Sequence, residues 1–356
     1  MTQKILAINP GSTSTKLGVF ADGREVLTEN LSHSAAELAE FAAVADQLPY
    51  RLAKIRDFLK ANGLALRDLA AVVGRGGLLK PIVGGTYAVN AAMLDDLKSA
   101  RYGAHAANLG AILAAQLAAE VSIPAYIVDP PVVDELDDIA RVTGLPAINR
   151  RSIFHALNQK AIAKRFARGL GRRYEDLNLI VAHLGGGISV GCHRQGRVVD
   201  VNNALDGEGP FSPERAGTVQ AAQFCDLVRE QQLGKGEIAR LLAGKGGLVA
   251  LLGTNDAREV EKRITAGDKT AETVYRALIY QVARYIAAAA VPVCGKVDHI
   301  VVTGGIAYSD YLTARLKEYV AFIAPVTIMP GENELQALAD GAYRVLNGEE
   351  QPQLYQ

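Results

Sequence analysis

The sequence predicts an α/β protein built from two related domains, and three observations indicate this. A chain of 356 residues is too long for one hydrophobic core and suits two domains. A strand, a small-residue loop, a strand, a turn and a strand follow each other from residue 5. The same order recurs from residue 179, where His183 stands 174 positions after Asn9. The stretch 69–77 also resembles 298–305, and each ends in Gly-Gly. The two offsets differ, so a single duplication stays a hypothesis, but both repeats favour two domains of one α/β type.

The individual elements follow from apolar periodicity and turn residues. After the opening strands and the Asp22-Gly23 turn, strands are predicted at 24–31, 69–73, 87–90, 125–128, 179–183, 189–194 and 197–202. Helices are predicted at 35–62 with an interruption near Pro49, at 91–99 capped by Asn90, and at 108–121, 152–168, 270–293 and 331–346. A long irregular loop covers 204–217, and the polar tail 347–356 is expected to be loosely held. The predicted domains are 1–149 with a C-terminal helix at about 332–356, and 150–331.

Composition argues against several classes of function. Basic and acidic residues both number 38, so the near-zero net charge gives no sign of nucleic-acid or anionic-membrane binding. The N-terminus has no signal-peptide pattern, and no apolar run is long enough to span a membrane. The three cysteines (Cys192, Cys225 and Cys294) are far apart and are interpreted as reduced core thiols of a cytoplasmic protein. The six histidines show no metal-ligand spacing.

The loop 9–16 (NPGSTSTK) is richer in hydroxyls than a hairpin turn requires. Gly11 lets a ligand approach the backbone, and the hydroxyl and N–H groups can form a nest of donors for an anion. Lys16 adds a charge able to meet a phosphate oxygen. The functional interpretation is a phosphate-binding hairpin, and the alternative is a polar turn between two core strands.

Three glycine-rich strand ends narrow the choice of nucleotide site. The Walker pattern is absent, and no G-x-G-x-x-G follows a strand and opens a helix. The remaining candidates are 9–14, 185–187 and 304–305. Two facing hairpin loops with a third Gly-Gly turn form the ATP-site pattern of actin-like ATPases and kinases.

On these residues the chain resembles the acetokinase family, within the superfamily of acetate and sugar kinases, heat-shock proteins and actin. The resemblance rests on the motifs NPGSTSTK (9–16), GRGG (74–77), FHALN (154–158), HLGGG (183–187), EGPFSPERAG (208–217), TGG (303–305) and PGENE (330–334). It implies two duplicated actin-like (ribonuclease H-like) domains, each a mixed five-stranded sheet flanked by helices, with ATP in the interdomain cleft. It also implies Mg²⁺-dependent transfer of the γ-phosphoryl group of ATP to a short-chain carboxylate, giving an acyl phosphate and ADP.

The resemblance implies roles for particular residues. The first phosphate loop would use Asn9, Ser12, Ser14 and Lys16. The second phosphate loop would use His183, Gly185, Gly186 and Gly187. Positions near the adenosine would be Asp256, Arg258, Gly304, Gly305 and Ile306. His155 and Arg215 would bracket the transferring phosphoryl group, and His105 would be a further active-site histidine. Asp129 would act on magnesium first and as a base second, while Glu334, or alternatively Glu332, would be the magnesium-linked glutamate.

Two departures from acetate kinases bear on the substrate. Their arginine before His-Gly-Gly corresponds to Val72 here, and Arg75 is expected to hold the substrate carboxylate from a shifted position or to bind elsewhere. The acyl pocket is expected to be larger, because Gly74 and Ala104 replace bulkier residues beside the retained Phe154. A four-carbon acid is therefore favoured, and Gly74→Val is expected to shift preference towards acetate.

The alternatives within the class are a kinase of isobutyrate, propionate or acetate. An actin-like ATPase without acyl kinase activity is the alternative from another class. The alanine-rich helix from Thr270 suggests a buried or subunit-facing surface, and the resemblance suggests a homodimer or a higher homo-oligomer.

Overall fold

The structure is a computed structural model that describes residues 2–356. Its strands are β1 (Lys4–Pro10), β2 (Ser14–Ala21), β3 (Arg24–Ser32), β4 (Ala71–Gly74), β5 (Thr86–Ala88), β6 (Ala125–Val128), β7 (Asn178–Leu184), β8 (Ile188–Arg194), β9 (Arg197–Val201), β10 (His299–Thr303), β11 (Val326–Ile328) and β12 (Gln353–Leu354).

Helices cover the intervening segments. They are α1 (Ala35–Leu38), α2 (Leu48–Ala61), α3 (Ala91–Lys98), α4 (Asn108–Ala119), α5 (Asp138–Arg141), α6 (Ala156–Gly169), α7 (Ala221–Glu230), α8 (Lys235–Leu242), α9 (Gly247–Leu252), α10 (Ala257–Thr265), α11 (Lys269–Ala288), α12 (Asp310–Val320) and α13 (Glu334–Leu346). Short 3₁₀ turns lie at Val44–Gln47, Leu66–Asp68, Tyr174–Asp176, Val291–Val293 and Gly305–Tyr308. Within residues 2–356, no helix combines the length and the apolar character needed to cross a bilayer.

The chain divides into two compact units. The first unit comprises the residues up to Val133 together with Asn333–Gln356, and its sheet has the order β12-β5-β6-β4-β1-β2-β3. β1, β2 and β3 form an antiparallel meander, while β1, β4 and β6 run parallel. The prediction of five strands is wrong for this unit, because β5 pairs antiparallel with β6 and β12 pairs parallel with β5.

The expectation of a loosely held tail is also wrong. Besides the pairing of β12, Tyr355 is only 3% exposed. Its hydroxyl donates to Asp96 Oδ2 (2.7 Å), and its carbonyl accepts from Asn90 Nδ2 (2.6 Å). The same Asn90 caps α3 through Met93 N, as the sequence predicted. Polar composition misled the prediction, because one buried aromatic residue and a short strand are enough to anchor the segment.

The second unit, Asp134–Glu332, contains a five-stranded sheet in the order β11-β10-β7-β8-β9. β7 runs antiparallel to β8 and parallel to β10, and this repeats the pairing of β1 with β2 and β4. β7 begins and ends 174 positions after β1, so the repeat predicted from Asn9 and His183 is present in both sheets. The segment 134–149 lies in this unit, where Asp137 N donates to Val199 O.

Two local predictions in the second unit need correction. α6 begins at Ala156 rather than at residue 152, because His155 has non-helical backbone angles and occupies the N-cap position. Cys192 on β8 is buried, and burial raises the pKa of its thiol to about 12. Cys225 and Cys294 are exposed, so they are not core thiols.

Candidate active site

The carboxyl ends of three parallel strands bring predicted site residues to one edge of the first sheet. Ile8 of β1 pairs with Gly74 of β4, and Gly74 pairs with Ile127 of β6. Asn9 and Arg75, the next residues along the chain from Ile8 and Gly74, therefore lie at the same level across the sheet. Asp129 lies one residue further along, two positions after Ile127. The loops at this edge of an open α/β sheet are the usual location of ligand sites.

Glu334, the first residue of α13, joins Asn9 and Arg75. Its Oε2 accepts from Asn9 Nδ2 at 2.6 Å, and Arg75 Nη1 donates to its Oε1. Arg75 and Glu334 are each about one-fifth exposed, which makes this a partly buried ion pair. Arg75 was expected to hold the substrate carboxylate or to bind elsewhere, and the resemblance linked Glu334 to magnesium. In the structure the two side chains bind each other.

Asp129 occupies a sharp turn directly after β6. Its φ of 39° lies in the left-handed region, and the residue is only 3% exposed. Oδ1 accepts from Gly85 N (2.7 Å), and Asp129 N donates to Gly85 O (3.1 Å). A left-handed conformation is costly for a residue with a Cβ, and residues held in it cluster at functional sites.

A fully buried arginine, Arg51, supports the predicted first phosphate loop from its inner side. Arg51 of α2 donates to Ser14 O (2.9 Å), Ser12 O (3.3 Å) and Thr15 Oγ1 (2.9 Å), and Gln47 Oε1 accepts its remaining hydrogen bonds. These acceptors are all neutral oxygens, so Arg51 places an uncompensated positive charge under the loop. Burial lowers its pKa, but a guanidinium keeps its proton in proteins.

The exposed face of that loop is polar. Ser12 and Lys16 are exposed, Ser14 is half-buried, and Gly11 N donates to Ser14 O at 2.8 Å. Because the Ser12 and Ser14 carbonyls bind Arg51, the opposite face of the loop presents hydroxyl groups and Lys16. This arrangement suits an anion.

The residues predicted to line the acyl pocket fall into different environments. A Cβ on Gly74 would lie well within 3.0 Å of the Gly110 carbonyl and 2.9 Å from Ala111 N, so the first turn of α4 fills that space. The expectation that Gly74 enlarges a pocket is therefore wrong. Ala104 is exposed, as is His105, whose pKa is lowered by desolvation and by the charge of Arg75. Phe154, in the second unit, is buried.

In the second unit, His183 and Thr303 are paired at the carboxyl ends of β7 and β10. Gly185 N donates to Gly187 O (3.0 Å) in the following loop. Gly304 has a φ of 93°, and a Cβ there would lie 2.7 Å from Leu184 N, so only glycine fits. Gly305 and Ile306 open the 3₁₀ turn that follows. The second loop and the Gly-Gly turn are thus neighbours, as the sequence predicted.

His155 and His183 stack with ring centroids 3.9 Å apart and planes 13° from parallel. His155 Nδ1 lies 2.9 Å from Ser189 Oγ, and His183 Nδ1 lies 2.9 Å from Asn158 Oδ1. His183 Nε2 lies 3.1 Å from Glu332 Oε1. The structure therefore joins the alternative glutamate to the second loop and the preferred one, Glu334, to Asn9.

Arg215 extends from the irregular loop 204–217 onto the predicted second phosphate loop. A Cβ on Gly187 would lie 2.8 Å from Arg215 Nη2, and Arg215 Nη1 donates to Ala204 O. Ser212 Oγ donates to Gly186 O at 2.6 Å and ties the two loops together. Burial lowers the pKa of Arg215. The lack of side chains in the second loop thus makes room for this guanidinium.

Asp256 and Arg258, predicted to lie near adenosine, bind each other at the start of α10. Arg258 Nε and Nη2 donate to the two oxygens of Asp256 at 3.0 and 2.8 Å. These hydrogen bonds lower the pKa of Asp256 to about 2. Both side chains are exposed, and Asp256 also caps the helix through Arg258 N.

Among residues 2–356, no group of three or more histidine, cysteine, aspartate or glutamate side chains is arranged to hold a metal ion. Asp129, after β6, and Glu334, in contact with Asn9 and Arg75, nevertheless supply carboxylate oxygens near one edge of the first sheet. Mg²⁺ in kinases binds through one or two carboxylates plus substrate phosphates. This donor set fits such a site.

Comparison with known proteins defines the class. The model of the acetokinase family matches residues 146–321. A curated protein named "Probable butyrate kinase" from Clostridium botulinum (strain Eklund 17B / Type B) is 52% identical over 355 residues, covering 100% of both chains. The chain belongs to the acetokinase family.

Solved structures support the fold. Acetate kinase from Porphyromonas gingivalis superposes with a TM-score of 0.77 at 18% identity, covering 96% of this chain and 99% of that one. A propionate kinase from Francisella tularensis subsp. tularensis SCHU S4 gives 0.72 at 19% identity, with coverages of 94% and 98%. The predicted α/β, actin-like fold is confirmed, apart from the two added strands of the first sheet.

Sequence reasoning missed the residues that support the site. Arg51, Asn158, Gln159 and Ser189 are buried; Arg51 contacts the loop, Asn158 and Ser189 contact the stacked histidines, and Gln159 contacts Ser189. A polar side chain at a core-facing helical position was the available signal, since a buried polar group needs a partner. Gln159 is such a position in α6.

Proposed function

We propose that this protein is a butyrate kinase, which reversibly transfers the γ-phosphoryl group of ATP to butyrate to give butyryl phosphate and ADP. The proposal rests on the full-length relative at 52% identity and on the chemistry of both loop systems. Its central observation is the contact of Arg215 with the second loop, beside which His155 stacks on His183.

The chemistry suits a carboxylate acceptor. A carboxylate with a pKa of about 4 to 5 is ionised at neutral pH, so no strong base is needed. Phosphoryl transfer then depends on positioning and on charge neutralisation. In this proposal Arg215 binds equatorial phosphoryl oxygens, and His155 donates to one of them.

The two loops would hold the ATP phosphates. Asn9, Ser12, Ser14 and Lys16 would act in the first loop, and His183 with Gly185, Gly186 and Gly187 in the second. The adenosine would lie near Asp256, Arg258, Gly304, Gly305 and Ile306. Asp129 and Glu334 would hold Mg²⁺, which would neutralise phosphate charge. Arg75 and His105 would act on the substrate side, and Ala104 and Phe154 would line the acyl pocket.

A hydroxamate assay for acyl phosphate, run with acetate, propionate, butyrate and isobutyrate, tests the proposal. Butyrate should give the highest kcat/KM. A higher value for isobutyrate, propionate or acetate would replace butyrate as the acceptor, and ATP hydrolysis without any acyl phosphate would favour an actin-like ATPase.

Arg215→Ala tests the mechanism within the same assay. Loss of one charge-stabilising donor should lower kcat by roughly two to four decades. Arg229→Ala is the matched control, because that exposed arginine pairs only with Asp226 on α7. Near-normal turnover of Arg215→Ala would remove Arg215 from the mechanism. A homodimer and a cytoplasmic location are part of the proposal, to be tested by light scattering and cell fractionation.

A further inference from the structure

A continuous chain of polar side chains leads from His155 into the core of the second unit. His155 Nδ1 lies 2.9 Å from Ser189 Oγ, which lies 2.7 Å from Gln159 Nε2. Gln159 Oε1 lies 2.9 Å from His193 Nε2, and His193 Nδ1 lies 2.7 Å from Tyr174 OH. The last four residues are buried, whereas His155 is half-buried. We call these five residues the His155 chain.

A backbone carbonyl fixes the orientation of the Gln159 amide at the centre of the His155 chain. Ser189 O lies 3.0 Å from the Gln159 amide, and a carbonyl can only accept. The atom facing it must therefore be the amide nitrogen, so the other amide atom is the oxygen.

The inner end of the His155 chain follows from that orientation. Gln159 Oε1 accepts, so His193 must carry its proton on Nε2. Desolvation, with a smaller effect from Lys160, lowers the pKa of His193 to about 3, so the ring is neutral at physiological pH. Its Nδ1 then accepts from Tyr174 OH. Each of these groups has one consistent role.

The outer end follows by the same reasoning. Gln159 Nε2 has two hydrogens and donates one to Ser189 O and one to Ser189 Oγ. The serine oxygen also faces His155 N at 3.5 Å. Its own hydrogen is therefore directed to the remaining neighbour, His155 Nδ1.

We propose that Ser189 and Gln159 are positioning residues that hold neutral His155 as the Nε2–H tautomer. The role of His155 as a donor to the phosphoryl group rests on the proposed function. The opposite tautomer would present a lone pair to a phosphoryl oxygen, and two electron-rich atoms repel each other. The buried chain thus decides whether His155 can donate from Nε2.

The tautomer can be measured without any activity. Protein labelled with ¹⁵N-histidine is studied by long-range ¹H–¹⁵N correlation at pH 8, where the nitrogen shifts separate the protonated from the unprotonated ring nitrogen. The sequence has six histidines, and His155→Asn identifies the signals of His155. We expect the proton on Nε2 in both His155 and His193. A proton on Nδ1 of neutral His155 would overturn the proposal.

Ser189→Ala tests the positioning role. It removes the donor to Nδ1, so His155 should become a mixture of tautomers, and kcat should fall roughly 10- to 100-fold with KM for ATP nearly unchanged. Thr313→Val is the matched control, because it removes a buried hydroxyl of the same unit that donates only to Ser309 O. Ser189→Cys, which keeps the size with a weaker donor, should lose less activity and replaces Ser189→Ala if that variant does not fold.

The outcomes separate the two proposals. A pure Nε2–H tautomer in Ser189→Ala, or an unchanged kcat, would contradict the positioning role. The predicted tautomers in a protein that forms no acyl phosphate would retain the positioning role and overturn the proposed function.

Discussion

Replacing Gly74 with alanine separates two explanations of this glycine. The sequence suggested that its missing side chain enlarges an acyl pocket, whereas the structure places the backbone of α4 in that space. The backbones of β4 and α4 are close from both sides, because a Cβ on Gly110 would also lie 2.8 Å from Arg75 N. β4 and α4 therefore meet backbone to backbone, and Arg75 follows directly after the contact.

The magnitude follows from the atoms involved. The new Cβ would lie well within 3.0 Å of the Gly110 carbonyl, and 2.9 Å from Ala111 N. Ordinary contacts are about 3.5 to 4 Å, so α4 or β4 must shift by about 1.5 Å or more. Overpacking a core typically costs about 1 to 3 kcal/mol of unfolding free energy. We expect about 3 kcal/mol here, because the atoms on both sides of the contact belong to rigid backbone. This corresponds to a fall in Tm of roughly 6 to 12 °C for a unit of this size.

The assay combines thermal unfolding with the preference for butyrate over acetate. Gly74→Ala should lower the Tm of the first unit, reduce kcat through Arg75, and leave the ratio of the two kcat/KM values within about twofold. Gly169→Ala is the control, because a Cβ there would meet no atom within 4 Å apart from its chain neighbours and the backbone of its own helix. An unchanged Tm together with a shift towards acetate would refute the packing explanation and restore the pocket.

Three further predictions use single residues. Arg51→Met should raise KM for ATP roughly 10- to 100-fold, because it releases the loop carbonyls. Arg51→Lys should partly restore KM, and Arg56→Met, on the exposed side of α2, should leave it unchanged. Equal KM values for Arg51→Met and the unmodified protein would contradict this. His193 has a folded pKa of about 3, below its unfolded value of about 6.5, so its contribution to stability is lost as pH falls through this window. In urea unfolding, His193→Gln should reduce the slope of the unfolding free energy against pH by about 1.4 kcal/mol per pH unit between these two values. Identical slopes for the variant and the unmodified protein would exclude a neutral buried ring. Tyr355→Ala should lower the free energy of unfolding by about 3 kcal/mol, and a cost below about 0.5 kcal/mol would show that the tail is not anchored.

Repeats and glycine-rich turns made most of the fold predictable. The 174-residue offset between Asn9 and His183 reproduces the offset of β1 and β7, because alternating apolar strands and small-residue loops are local signals. β12 was missed because a two-residue strand has no periodicity. Its stability comes from Tyr355, whose partner Asp96 is distant in sequence.

The candidate site was predictable only in part. Motifs indicated Asn9 and His183, but nothing local indicated that Arg75 would bind Glu334 across 259 positions. The space beside Gly74 could not be assigned either, because a missing side chain accommodates a ligand and a neighbouring helix equally well. Whether a ligand or a helix fills the space beside a glycine depends on which segment packs against it, and this is set by the tertiary structure.

The three cysteines differ in exposure, and this difference allows local opening of the second unit to be measured by thiol labelling. A thiol reagent should modify Cys225 and Cys294 at once, because both are exposed. Cys192 lies on β8, two residues from Val190 and one from His193, and its buried thiol can react only after that strand separates from its neighbours. The delay before the third thiol reacts therefore measures the free energy of local opening of the strand that also carries Ser189. Any ligand that binds His155 or the adjoining loop should lengthen the delay.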